Sequence, residues 1–241
     1  MFRILCTAFL GAILASATAV AGIPSRFFDF AHVVDGEGAR TFFLVMNKGT
    51  DSAHVTLTLM KNDGSPLTLD IDGTSTSTFE FDLPAGGSRR MASSGASSPL
   101  ASGWAQLRAD HEVGAQELFQ ISSGGKVGTT AAVESFSPVT AADGFVEQEG
   151  GTRTGIAISN LSDVGAINVR LRLIDESGQE LRAVTIELGP SNKVAKFLDE
   201  LFSDLGDFRG TLRIEASGPF SAVILQQTGV VLGTLPPLEI F

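Results

Sequence analysis

The sequence predicts an all-β protein built as two tandem copies of one antiparallel β-sandwich. Three observations predict it. Apolar residues recur at every second position through most of the chain, the signature of strands with one dry and one wet face. Clusters of Gly, Asn, Asp and Pro interrupt these runs at short intervals, and no long helical run separates them. The same series of segments is also written twice, in the same order, about 110 residues apart, which is the length of a domain rather than of a solenoid unit.

Residues 1–21, MFRILCTAFLGAILASATAVA, read as a signal peptide: Arg3, an apolar run to about Leu14, then Ala19-Val20-Ala21 with cleavage before Gly22. The apolar run is shorter than the ~20 residues a membrane span needs. The expected domains are residues 22–138 and 139–241. Cys6 is the only cysteine and leaves with the signal, so the mature chain has no disulfide, no thiolate metal site and no cysteine nucleophile. Without Arg3, 16 basic residues face 27 acidic ones, a net charge of −11. Such a chain repels nucleic acid and anionic lipid. A terminal LEIF segment suits an outer-membrane barrel, but Pro236-Pro237, the lack of Tyr and the single Trp argue against one.

The segment RFFDFAHVV (residues 26–34) forms the first expected strand, or alternatively a strand donated to a neighbour's sheet edge. TFFLVMN (41–47) is continuously apolar, as in a central strand covered on both faces. VTLTLMKNDGSPLTLDI (55–71) reads as a hairpin, with Val55, Leu57 and Leu59 inward, and VRLRLIDESGQELRAVTIEL (169–188) reads as its second copy, with Val169, Leu171 and Leu173 inward. LVMN around Asn47 matches IAISN around Asn160. LPAGGSRRM from Leu83 matches LGPSNKVAKFL from Leu188, and GWAQLRADHEVGAQELFQ from Gly103 matches GTLRIEASGPFSAVILQQ from Gly210. Ser137 to Gly144 is the expected linker. ASSGASSPLASG (92–103) reads as a flexible loop. Its counterpart carries Val194, Phe197, Leu198, Leu201, Phe202 and Leu205 at helical spacing. Because the repeat makes the stretch before Leu198 a strand, a short helix is expected near 198–205, packed on the sandwich or offered to a partner.

The strings LPAGGSRRM…GWAQL and KFLDELF…FRGTLRIEASGPFSAVIL resemble the tandem immunoglobulin-like (Ig-like) β-sandwich modules of bacterial secreted and surface proteins, over nearly all of the mature chain. The first copy departs from the pattern, with Trp104-Ala105-Gln106-Leu107 where the second has Thr211-Leu212-Arg213-Ile214. The resemblance implies fold and location and carries over no catalytic residue.

Chemistry-bearing residues are few. His32, His54 and His111 are the only histidines. His111, in RADHEVG beside Asp110 and Glu112, is the best base candidate and is expected in a turn between strands, with no G-x-S-x-G elbow to accompany it. DGEG (35–38) and DIDGTSTS (70–77) resemble fragments of calcium loops, yet DIDG lacks the distal Glu and suits a plain turn. Trp104 is a core residue or a sugar platform. The 17 Phe and absent Tyr favour core. No catalytic, metal or cofactor residue is assigned. The expectation is an exported, non-enzymatic structural or interaction protein (adhesin-like or spacer) of the cell envelope or exterior, bound to a protein or envelope polymer. The alternatives are a glycan- or calcium-binding module, or a hydrolase with an interdomain site.

Overall fold

Alternating side chains make strands, and two strands of more than 20 residues organise the rest. The computed structural model describes residues 25–133, 135, 138–229 and 231–240; the expected signal peptide and Cys6 lie outside them. The first copy comprises β1 (Ser25–Asp35), β2 (Ala39–Met46), β3 (Ala53–Lys61), β4 (Leu69–Ile71), β5 (Thr74–Thr76), β6 (Thr78–Leu83), β7 (Ser88–Ala92), β8 (Ala101–Ser123) and β9 (Lys126–Val133). The second comprises β10 (Val139–Gln148), β11 (Thr152–Asn160), β12 (Ile167–Asp175), β13 (Glu180–Leu188), β14 (Lys193–Phe197), α1 (Leu198–Leu201), β15 (Phe208–Thr228), β16 (Val231–Leu235) and β17 (Leu238–Glu239). The protein is all-β.

The long strands β8 and β15 serve both layers of their copies. The first half of β8 lies between β3 and β1, and its second half between β2 and β9. The first half of β15 lies between β12 and β10, and its second half between β11 and β16. Each sheet therefore folds over on itself in a β-sandwich arrangement around its own core. In the first copy Phe30, Leu57 and Leu107 face Phe43, Val45 and Met91; in the second Val169, Leu171 and Ile214 face Ile156, Ile158 and Ile224. Val55, Leu57, Leu59 and their counterparts Val169, Leu171, Leu173 are fully buried, as the alternation predicts. β2 is central, between β7 and β8. Phe43 enters the core, while Phe42 on the other face is covered by the guanidinium groups of Arg40 and Arg90. Gly103 and Gly210 occupy matched positions where a Cβ would sit 2.1 Å from the Met60 carbonyl oxygen and 2.2 Å from that of Ile174, so both must be glycine.

Several sequence expectations need correction. Residues 55–71 keep only the tip of the expected hairpin: the Lys61 amide donates to the Ser65 carbonyl (2.7 Å) and the Leu67 amide to the Leu59 carbonyl (3.0 Å), but β3 pairs with β6 and the ribbon β4–β5 is inserted between them, whereas β12 and β13 pair directly. RADHEVG is not a turn, because β8 runs through it as it passes from the β3 layer to the β2 layer. Most of the expected linker, from Val139 onward, belongs to β10 and pairs with β15. The expected helix near 198–205 is a single turn, Leu198–Leu201. Phe202 is already extended, and Asp204 adopts a left-handed conformation at φ +55°. Leu198 and Phe202 enter the second core, with Leu201 and Leu205 packed against it, so this face is covered by its own sandwich. The loop at 93–99 is tied down: buried Asp35 accepts hydrogen bonds from the amides of Gly95 (2.6 Å) and Ser97 (3.1 Å) and from the Ser97 hydroxyl (2.6 Å). Among the described residues no helix is long and apolar enough to cross a membrane.

Candidate functional site

The residues singled out by sequence fall in three places. His54 and His111 do meet, on the exposed surface. The Asp110 carboxylate accepts from the His54 amide (2.7 Å) and pairs with His111 Nδ1 (2.9 Å), while Asp82 holds His54 Nδ1 at 2.8 Å. Donation of the His54 ring N–H to Asp82 raises the His54 pKa, and donation from His111 to Asp110 lowers that of Asp110. Asp70 accepts from the Gly73 amide and Asp72 from the Ala92 amide, so the DIDG carboxylates serve as turn caps, as Asp35 does for its loop. Among the described residues no group of three or more His, Cys, Asp or Glu side chains is arranged to hold a metal ion. Phe28 is buried, and Phe27 is exposed beneath the Arg108 guanidinium.

The third place is the junction between the copies, where Trp104 and His32 come together with residues the sequence reading did not single out. A small third core joins Ala31, Val34, Ala39, Phe119 and Val133 of the first copy to Ala157 and Val223 of the second. β1 does not present a free edge here. The hydroxyls of Ser221 and Ser159 donate to the Asp29 and Ala31 carbonyls (3.1 and 3.4 Å). Beside them, Thr129 and Thr234 tie β9 to β16 through the backbone of Leu232 and Ala132. Trp104 is buried and its indole N–H donates to the Ser191 carbonyl (2.9 Å), which rules it out as an exposed sugar platform.

At the centre lies Lys193, only 4% exposed. Its Nζ contacts the Gly103 carbonyl (2.6 Å), the Ser102 hydroxyl (3.2 Å) and His32 Nδ1 (2.5 Å), all in the other copy. Burial pushes its pKa down to about 7, against the opposing pull of Glu117. Burial, and then the Lys193 charge, hold His32 well below its ordinary range. Glu117 is fully buried and neither carboxylate oxygen has a hydrogen-bond partner; desolvation raises its pKa well above the carboxylate range, against the opposing pull of Lys193.

The internal repeat held the signal that finds these residues. The paired registers place Lys193 opposite exposed Ser88, Glu117 opposite core Ile224, Ser159 opposite Met46 and Ser221 opposite Gly114. Each is a polar side chain where its twin differs, and only the fold shows that they converge. Sequence comparison adds no name to this site: no protein-family model matches the chain, and no curated protein matches it.

Proposed function

We propose that this chain is an exported, non-enzymatic structural or interaction module of the cell envelope or exterior, a stiff pair of sandwiches that spaces or presents a surface. The observation that carries this reading is the use made of the polar residues that differ between copies. Trp104, Lys193, Ser159 and Ser221 all join one copy to the other. A duplicated domain that evolves its distinctive polar groups into a lock between copies gains rigidity, which suits a spacer or binder. Export is supported by the A-x-A signal pattern at residues 19–21 and by an acidic mature chain without cysteine. The Ig-like reading is supported by two packed layers and seven main strands in the first copy. The β2–β7, β3–β8 and β8–β9 pairings also fit it, while the single strand shared by both layers sets the fold apart.

The test is a crosslinking pull-down of the tagged mature chain from its native cells, with periplasmic, surface and medium fractions kept apart. A screen of ester, peptide and glycoside substrates accompanies it. Recovery of one envelope component, lost when the surface crosslinked to it is mutated, supports the reading. Free monomer in the medium that turns over any substrate sinks it.

A further inference from the structure

The junction also shapes a cleft of about 270 Å³ beside the Lys193 cluster. Its walls are apolar: Val34 and Leu100 from the first copy, and Ile156, Phe197, Leu225 and Leu232 from the second. Four polar side chains line it: His32 and Ser102, which both touch Lys193, and Lys196 and Glu200, the latter accepting from the Phe197 amide (2.7 Å). The hydrogen-bond directions of His32 and Ser102 are fixed from behind. A protonated Lys193 has three N–H donors and no lone pair, and its three neighbours use all of them. His32 Nδ1 must then be the acceptor, which places the ring proton on Nε2. Ser102 accepts from Lys193, so its own O–H is free to donate. Among the described residues neither the Nε2–H nor that hydroxyl proton has a protein acceptor. The polar end of the cleft therefore offers two donors with a positive charge behind them, set against apolar walls.

We propose that this cleft is a binding site for a small apolar molecule that ends in a carboxylate. The aliphatic part lies against Ile156, Leu225 and Leu232, and the carboxylate accepts from His32 Nε2–H and Ser102 Oγ–H. An amine would meet donors facing donors, and an alcohol would satisfy one donor without answering the charge. The cleft lies at the small end of ligand pockets, about 300–1,000 Å³, so a medium-chain aliphatic acid is the appropriate probe. The titratable groups that face the site are His32, Lys193 and Glu117 behind it, with Lys196 and Glu200 among its lining residues. Lys193, its pKa lowered to about 7, loses its charge as pH rises through neutrality, so binding weakens as pH rises. This ligand site goes beyond the scaffold reading and stands or falls separately from it.

The experiment is calorimetric titration of the mature chain with octanoate, 1-octanol and octylamine. Fluorescence of Trp104, the only tryptophan, serves as a second readout at the junction. Expected is saturable binding of octanoate at one site near pH 6, at least about tenfold weaker for 1-octanol and octylamine, and at least about tenfold weaker near pH 9. Ala195→Phe fills the cleft from an exposed position on β14 and leaves the Lys193 cluster untouched; it abolishes octanoate binding without moving Tm. Lys193→Met removes the preference for the acid over the alcohol. Absence of saturable octanoate binding, equal affinity for octanoate and 1-octanol, or undiminished binding by Ala195→Phe each overturns the proposal.

Discussion

The two copies build the same four-residue turn and put it to different uses. In the first, residues 84–87 close with the Gly87 amide donating to the Pro84 carbonyl (2.8 Å), and Gly86 takes the left-handed position at φ +70° with open space around it. In the second, residues 189–192 close in the same way (3.1 Å), but Ser191 fills the left-handed position at φ +56°. A residue with a Cβ is strained there. Its carbonyl accepts from Trp104, and the next strand opens with Lys193 rather than exposed Ser88. The 61–65 turn of the first copy also docks on this turn, with the Lys193 amide donating to the Asn62 carbonyl (2.9 Å). After duplication, positions that define the sandwich stay matched, while positions at the junction diverge toward polar groups that lock it.

Exchanging junction residues for their twins should break this asymmetry, and Trp104 carries the largest effect. Trp104→Thr, which installs the residue found at 211, empties a fully buried indole and orphans the Ser191 carbonyl. The expected loss is about 3–5 kcal/mol by urea unfolding, against about 0.5 kcal/mol or less for Thr211→Ala. Equal losses would show that the indole serves its own core alone.

Lys193 comes next, through pH. Its pKa is about 7 folded against 10.5 unperturbed, so between these values the unfolded chain holds a proton that the folded chain lacks. Stability therefore rises with pH across that window, on the order of 5 kcal/mol in all. Glu117, raised in the folded state, gives the opposite slope upward from its ordinary 4.5. His32, lowered, costs stability below 6.5. In Lys193→Met the rise from pH 7 to 10.5 disappears from chemical-denaturation curves; its persistence would place the titrating group elsewhere.

The sandwich plan was legible because it rests on local pattern. Alternation marks β3 and β12, the apolar run 41–47 marks a doubly covered β2, and the internal match alone turns 193–197 into a strand despite helical spacing. Pairing was less legible, since the sequence does not say that β3 skips the β4–β5 ribbon to reach β6 or that β8 continues through Arg108 to Gly114. Those choices depend on which edge is free in space. The candidate site was the least legible. Lys193, His32, Ser102 and Glu117 have unremarkable neighbours in sequence, and their chemistry comes from burial where two copies meet. Of the two sequence readings of Trp104, core residue or sugar platform, the buried one holds, but nothing in the sequence indicates that it belongs to the junction.

A matched pair sharpens the symmetric half of the comparison. Asn47 donates from Nδ2 to the Asp51 and Leu83 carbonyls (2.7 and 2.9 Å) and accepts from the Gly49 amide (2.9 Å). Asn160 donates to the carbonyls of Gly165, Leu188 and Gly189 (2.8, 3.2 and 2.8 Å) and accepts from the Ser162 amide (2.9 Å). Both are buried, and either change to Ala strands several backbone groups. About 2 kcal/mol is expected for each, nearly equal. A difference beyond about 1 kcal/mol would mean that the copies are not equivalent even where their contacts match.

Glu117 makes the smallest and most one-sided case, because its twin names the residue that should replace it. Ile224 fills the same place in the second core and is fully buried. Glu117 occupies it with a carboxyl group lacking any hydrogen-bond partner, its pKa pushed up by desolvation. Replacing a buried unsatisfied polar group by an apolar one of similar volume is neutral to stabilising. Glu117→Ile is therefore expected to raise stability by about 1–2 kcal/mol at neutral pH, read as a higher urea midpoint with an unchanged denaturant slope. The gain should grow as pH rises, because the wild-type carboxyl pays increasingly for staying protonated while the isoleucine does not titrate. If Glu117→Ile instead destabilises the chain, the carboxyl is bonded within the junction and the asymmetry between positions 117 and 224 has another cause.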